Sequence, residues 1–475
     1  MTTHDAVVVG SGPNGLVAAI TIARAGHSVL VLEANETIGG GARSTELTLP
    51  GFVHDVCSAI HPLAVASPCL QGMDLAPEGL SFEHPEFPLA HPMDDGTAVV
   101  LERSVTGTAA GLGDDARPYE RLMRPLVDAS PSLLPHLLGP QLRVPRHPIP
   151  IARFGLSVGL RSALSMADAR FSTPGARALF AGCAGHSMLS LRRAPTAAIG
   201  TVLTLLAHAV GWPAPRGGSQ AIVDALAARL RSLGGEIATG TRVATLHDLP
   251  PHRTAVFDVT ARQLLEIAGD AFPPRYRRAL ARYRYGPGVF KVDWALDGPV
   301  PWKAEECGRA GTVHVGGTMD EIASGEDQVV AGRHTENPFV IVAQQSMFDD
   351  SRAPSGKHTL WAYCHVPSGS DVDMTDAIET QVERFAPGFR DLILARNVMT
   401  PTELERRNAN HIGGDINGGE QTVRQLLARP AARLVPYRTP DPAIYICSSS
   451  TPPGGGVHGM CGYLAARAAL RRSLR

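Results

Sequence analysis

The residues best suited to chemistry stand at the two ends of the chain. Gly10, Gly12 and Gly15 hold the G-x-G-x-x-G spacing directly after the apolar run Val7, Val8 and Val9, and Glu33 closes a second apolar stretch that begins at Ser28. Between them Leu16, Val17, Ile20 and Ala23 recur with a helical period, and Gly26 stands where the helix should stop. In such a strand–helix–strand unit the first glycine makes a tight turn and the second lets the backbone approach a pyrophosphate. The third lets helix and strand pack closely, and the helix N-terminus faces the phosphates. A carboxylate about 20 residues further on accepts hydrogen bonds from ribose hydroxyls and repels a 2′-phosphate. Glu33 takes that position. The pattern predicts a dinucleotide site without separating NAD from FAD, because both use the same cradle.

Just beyond the second strand, "IGGGAR" supplies Gly39, Gly40, Gly41 and Arg43. It resembles the second glycine motif of FAD enzymes of the glutathione-reductase and amine-oxidase type, in which the segment crosses the cofactor and the Arg contacts its phosphate–ribose portion. A guanidinium suits that task because its rigid fork pairs with phosphate oxygens and keeps its charge. The bland alternative is a surface loop with a solvated Arg. At the other end, Ala443 to Cys447 read as a buried strand. Pro452, Pro453 and the glycines 454–456 follow, then a helix carrying Val457, Met460, Cys461, Leu464 and Ala468 on one face. A helix started on glycines points bare N–H groups and a positive dipole end outward. That end would favour the negative charge that reduced flavin holds around N1 and the C2 carbonyl.

The stretches "GSGPNGLVAA", "GGGAR" and "STPPGGGVHGMCGYLAA" together resemble the phytoene-desaturase-like FAD-dependent oxidoreductases. This group includes carotenoid desaturases, ketolases and isomerases within the amine-oxidase superfamily. The likeness runs over nearly the whole chain and is most specific at the two ends. It implies an α/β fold, with a Rossmann-like FAD-binding domain of the glutathione-reductase type and a mixed-sheet plus helical substrate domain. It also implies noncovalent FAD held at Gly10, Gly12, Gly15, Glu33, Gly40, Arg43, Val243, Gly455, Gly456 and Val457. The implied reaction is hydride transfer from a lipophilic, isoprenoid- or carotenoid-like substrate to flavin N5. His458 should lie near the flavin and is the candidate to move a proton. Its alternative is a local hydrogen bond at a helix start. Ser448 to Ser450 replace the acid that many relatives carry, and Pro452 replaces a histidine usual in phytoene desaturases. Two other readings remain: a flavin-dependent amine oxidase, and a redox-silent flavin isomerase or interaction protein.

The elements that must position these residues divide the 475-residue chain into two domains. Residues 1–100, 216–272 and 430–475 are expected to form a discontinuous FAD-binding domain, and 101–215 with 273–429 the substrate domain. The former includes a helix with Ile222, Leu226, Leu230 and Leu233 on one face, followed by strands "TRVATL" and "TAVFDV". In the latter, Phe290, Val292, Trp294 and Leu296 alternate with polar positions, as on a strand with one face buried. The charge-free stretch 194–215 keeps only about 14 uninterrupted apolar residues, too few to cross a bilayer, and reads as a buried helix lining the cavity. Residues 144–164 mix Arg146, Arg153 and Arg161 with apolar side chains. They read as a helical lid, with a membrane-resting entrance as the alternative.

Composition narrows the function classes. A net charge of −1 gives no footprint for nucleic acid. Seven scattered cysteines include no C-x-x-C, so neither a disulfide framework nor a metal site is indicated. A reducing cytoplasm fits, and no export signal precedes the first strand. Without a redox cysteine pair or a second dinucleotide motif, oxygen or a quinone is expected to accept the electrons. His61, Asp415 and Asn417 are further candidates for the cavity wall. Cys461, on an apolar helix face, reads as a structural thiol.

Overall fold

The computed structural model describes residues 3–140 and 144–475. Residues 141–143, inside the expected 101–215 segment, lie outside the described residues. Two sheets carry the architecture. The first is fully parallel, in the order β16-β10-β1-β2-β9. Its strands are β1 (His4–Val9), β2 (Val29–Leu32), β9 (Glu236–Ala238), β10 (His252–Phe257) and β16 (Ile444–Ile446). Helices Pro13–Ala23, Gln220–Ser232 and Met460–Leu470 share one core cluster with β1 and β2, while Ala261–Ala268 and Pro274–Ala281 pack in the cluster on the other face. Valines 7 and 8 are completely buried, as expected of a parallel strand covered on both faces.

The second sheet has seven strands in the order β15-β11-β14-β13-β12-β6-β7. These are β6 (Phe87–Pro92), β7 (Ala98–Leu101), β11 (Gly288–Leu296), β12 (Ala310–Val315), β13 (Val340–Ala343), β14 (His358–Val366) and β15 (Ile393–Met399). All its pairings are antiparallel except β12 with β6. Two short ladders complete the strands: β3 (Ser44–Glu46) with β4 (Val53–Asp55), and β5 (Phe82–Glu83) with β8 (Ala214–Pro215). Helices between Ala116 and Ala209 share a hydrophobic cluster with this sheet. The charge-free stretch forms the helix Thr196–Ala209, 14 residues long.

Four sequence expectations are corrected here. Strands β6 and β7 fall within the expected nucleotide segment 1–100 but belong to the second sheet, because β6 pairs with β12. Residues 274–281 fall within the expected substrate segment but pack under the first sheet, through Tyr276 and Leu280. "TRVATL" is not a strand: the strand after the helix Gln220–Ser232 is β9, and Val243 lies in the connection after it. The polar positions of β11 do not face solvent. All nine of its residues are buried, and Lys291 pairs with Asp293.

A buried ion cluster ties the β3–β4 ladder to the segment between β13 and β14 and to the start of the helix Gln220–Ser232. Arg352 is fully buried and donates from Nε to Asp349 at 2.8 Å and from Nη2 to Asp55 at 3.1 Å. Asp55, at the end of β4, also accepts from the Ser219 N–H at 2.8 Å, the Ser44 hydroxyl at 2.6 Å and Gln345 at 3.1 Å. Burial alone would raise the Asp55 carboxyl, but Arg352 and these donors hold it below its ordinary value. Removing one partner of such a cluster leaves an uncompensated charge. Arg352→Met is therefore expected to destabilise the fold by about 3–5 kcal/mol, measured by urea unfolding. The Asp55 contribution is present above the unfolded carboxylate value of about 3.9 and is lost as pH falls through the lowered folded value. Wild-type stability should drop in that acid range, and the drop should shrink in the variant.

Candidate functional site

The carboxyl ends of β1, β2 and β10 open onto a cavity of about 1380 Å³. That exceeds the roughly 300–1,000 Å³ of a site for one small molecule, leaving room for a nucleotide and a second ligand. Gly10, Gly12, Glu33, Gly40, Val243, Gly455, Gly456, Val457 and His458 all line this single space. Gly15 and Arg43 are not on its wall.

The glycines are required by contact. A Cβ on Gly15 would lie 2.0 Å from the Gly10 carbonyl oxygen, and one on Gly12 would lie 2.8 Å from the Asp258 carboxyl. The helix Pro13–Ala23 thus begins on an N-cap, Gly12, that offers no side chain of its own. Gly40, at φ +57°, packs against the Gly12 Cα. The two N-terminal glycine motifs therefore touch. Glu33 is buried at the end of β2. One of its oxygens accepts from the Ser11 N–H at 3.0 Å and hydroxyl at 2.6 Å, the other from the Asn35 N–H at 2.9 Å and side-chain amide at 3.0 Å.

Arg43 departs from the expected phosphate contact. Its Nε donates to the Gly40 carbonyl at 3.0 Å and its Nη2 to the Arg407 carbonyl at 2.7 Å. Here it braces the glycine loop against the segment that ends the helix Pro401–Arg407.

The C-terminal motif also differs from expectation. The last helix begins at Met460, on the left-handed N-cap Gly459, rather than near Val457. Gly454 to His458 form a loop packed on Asn417, close enough that a Cβ on Gly455 would sit 2.9 Å from the Asn417 carbonyl oxygen. His458 is buried. Its Nδ1 accepts from the Met460 N–H at 3.0 Å, which leaves Nε2–H to donate to the Gly454 carbonyl at 3.2 Å. Burial pushes its pKa down to about 4. Both ring nitrogens of a neutral imidazole are spent, so His458 caps a helix and braces a loop instead of moving a proton.

Of the other candidates, His61 and Asn417 line the cavity and Asp415 does not. The His61 Nε2 meets the Ser219 hydroxyl at 2.7 Å. Asp415 accepts from the Gly286 and Asn417 N–H groups and organises its loop. Cys461 is fully buried on its helix. Three cavity residues were missed in sequence. Asp258 accepts the Gly15 N–H at 2.9 Å. Its one local signal is an acid at the end of a strand, as with Glu33. Trp361 and Tyr363 of β14 face the cavity edge to face, 5.1 Å apart. The substrate side is mainly apolar, with Ile199, Val202 and Leu203 from the helix Thr196–Ala209 and Ile341 from β13, and carries the polar side chains of His186 and Thr312.

Comparison with known proteins bears on the same features. Residues 8–73 match the family model of the NAD(P)-binding Rossmann-like domain. The chain is 27% identical to pyridine nucleotide-disulfide oxidoreductase domain-containing protein 2 of Mus musculus, over 98% of this chain and 93% of that protein. A shorter match, 28% identical, joins 26% of this chain to 25% of 4,4'-diapolycopen-4-al dehydrogenase of Metabacillus indicus. An oxidoreductase structure from Methanosarcina mazei superposes with a TM-score of 0.68 at 15% identity, covering 98% of this chain and 100% of that one. Putrescine oxidase bound to putrescine gives 0.62 at 17% identity, covering 99% of each chain. Residues 8–73 thus form an NAD(P)-binding Rossmann-like domain, and the chain shares its mixed α/β fold with the Methanosarcina mazei oxidoreductase and putrescine oxidase.

Asp258 provides a test of the cradle's electrostatics. Burial, with Glu33 adding repulsion, raises its pKa to about 7 even though the Gly15 N–H opposes the shift. Between the unfolded value of about 3.9 and 7 the folded state binds more protons, so this group lowers stability as pH rises through that window. Asp258→Asn keeps an oxygen for Gly15 and removes the ionisation. Its melting temperature is expected to exceed wild type by several degrees at pH 8 and to match it closely near pH 4. An unchanged pH slope in the variant would clear Asp258 of this role.

Proposed function

We propose that this protein is an FAD-dependent oxidoreductase that takes hydride from a lipophilic, isoprenoid- or carotenoid-like substrate. The observation that carries the reading is the continuity of one cavity, from the glycine cradle at Gly10, Gly12 and Glu33 to the apolar wall of Ile199, Val202, Leu203 and Ile341. The residues present fit FAD. The bare backbone at Gly12 and Gly40 admits a pyrophosphate, Glu33 offers carboxylate oxygens to a ribose, and the Gly455–Val457 loop closes the same space from the other side. Bound there, FAD would supply a hydride acceptor at N5. The chain's own residues hold the substrate against it and keep water out.

The second reading, an amine oxidase, draws on the Trp361–Tyr363 pair and on the fold likeness to putrescine oxidase. Two features weigh against it. The carboxylates that line the cavity, Glu33, Asp258 and Glu266, all belong to the β2, β10 and 261–268 segments of the nucleotide end. The substrate half therefore offers no anion to an ammonium group. The Lys291 ammonium also lies 5.8 Å from the centre of the Trp361 ring, which disfavours a second cation on that aromatic. Oxygen or a quinone is our proposed electron acceptor, since all seven cysteines are free and six are buried.

No helix among the described residues is long and apolar enough to cross a membrane. A peripheral contact is part of the proposal. Val144, Ile149, Leu156 and Leu160 are 74–92% exposed, and Leu156 and Leu160 also line the cavity. Arg146 and Arg153 stand exposed among them. Apolar side chains ringed by cations suit an anionic bilayer surface, through which a lipophilic substrate would reach the cavity.

Two outcomes are expected. Heat or acid should release free FAD from the purified protein, and anaerobic addition of isoprenoid lipid should bleach the flavin absorbance whereas putrescine should not. Bleaching by the amine alone would favour the second reading. In flotation assays with phosphatidylglycerol-containing vesicles, wild type should float, and the double variant L156E/L160E should remain with the soluble fraction.

A further inference from the structure

His186, on the substrate half of the cavity, has a polarity that the fold sets. His186 caps the C-terminal end of the helix Pro174–Gly185, is partly buried, and lines the cavity. Its Nε2 lies 3.0 Å from Nε2 of His314 on β12. One proton must sit in that contact, so one imidazole donates and the other accepts.

The surroundings of His314 decide which. This ring is fully buried, its Nδ1 has no hydrogen-bond partner, and that nitrogen packs on Gly182 so closely that a Cβ there would be 2.5 Å away. A proton on Nδ1 would be a buried, unpaired N–H pressed against the helix, the rarest kind of orphan in native structures. A bare lone pair fits the space with less strain. His314 therefore carries its proton on Nε2 and donates it to His186.

His186 accepts at Nε2, so as a neutral ring it must hold its own proton on Nδ1. Neutrality follows from its setting, since burial and then the nearby His365 push its pKa down to about 3. No described residue accepts from Nδ1, the ring nitrogen left for the cavity. Unlike His314 Nδ1, it is not among the fully buried unpartnered atoms, so it is the ring atom open to water or a ligand. A ligand oxygen would satisfy it.

We propose that His186 is a specificity-determining donor, and that the cavity's ligand is an oxygenated lipophile whose carbonyl, hydroxyl or ether oxygen accepts from His186 Nδ1. This rests on the lipophilic-substrate reading above and narrows it. Gly182 and His314 are positioning residues: they lock the tautomer without touching the ligand.

The test uses the FAD-loaded protein and a matched pair of probes, farnesylacetone and the hydrocarbon in which a methylene replaces its carbonyl. Binding is read from quenching of tryptophan fluorescence, since Trp212 and Trp361 line the cavity. Wild type should bind the ketone roughly tenfold tighter than the hydrocarbon, the scale of one hydrogen bond to an otherwise unpaired donor. His186→Phe should bind both probes with the wild-type hydrocarbon affinity, and His186→Met is the second variant should the first not fold. His186→Gln, which keeps an N–H donor, should retain part of the preference. Equal binding of the two probes by wild type, or a ketone preference that survives His186→Phe or His186→Met, overturns the His186 assignment and leaves the lipophilic reading standing. Binding of neither probe overturns both.

Discussion

Backbone-to-backbone contact at a few glycines is the constraint on which the rest of this structure depends. Gly15 lies against the Gly10 carbonyl, Gly462 against the Asn14 carbonyl, and Gly455 against the Asn417 carbonyl; an added Cβ would meet those oxygens at 2.0, 1.8 and 2.9 Å. The second of these seats the final helix directly on the first. Methyl groups at these points would push apart the layers that enclose the nucleotide end of the cavity. The conformational entropy lost by ordering so many glycines is offset by the burial they permit, including the fully buried Leu16, Val17 and Ile20 beneath them.

The opposite wall is built on a different principle. Behind Trp361 and Tyr363, β11 buries Lys291 with Asp293, and β4 with the segment before β14 buries Asp55 with Arg352, and His54. An unpaired ion there would be strongly destabilising, and each of the four charged groups has a partner. The histidines are kept neutral: burial, with Lys291 adding to it, pushes His54 down to about 3, and burial pushes His61 to about 4. The cavity surface on this side consequently presents apolar and aromatic groups with few fixed charges. Such a wall excludes water and leaves orientation of a ligand to a small number of directed donors, of which His186 is one.

What was legible in the sequence is the part encoded by neighbours. The strand–glycine–helix–strand unit from His4 to Glu33, the helix Gln220–Ser232 and the 14-residue helix Thr196–Ala209 follow from periodicities that span fewer than about 30 residues. The place of Glu33 at the end of β2 is legible because it depends only on local pattern. His458, expected near a flavin, lines the cavity. Its use was not readable, because a ring that caps Met460 and a ring that moves protons have the same sequence.

The chain by itself thus determined the strand–glycine–helix–strand unit, the acid at the end of its second strand, and the apolar character of the helix Thr196–Ala209, all written in local pattern. Tertiary structure decided the rest. Asp258 meets Gly15 across 243 positions, Arg43 turns to the Arg407 carbonyl across 364, and His186 meets His314 across 128. Strand β6 pairs on one edge with β7, next to it in sequence, and on the other with the distant β12. No residue pattern within a window of a helix or strand records such pairings. They are selected by which buried donors, acceptors and backbone surfaces fit once the whole core is packed.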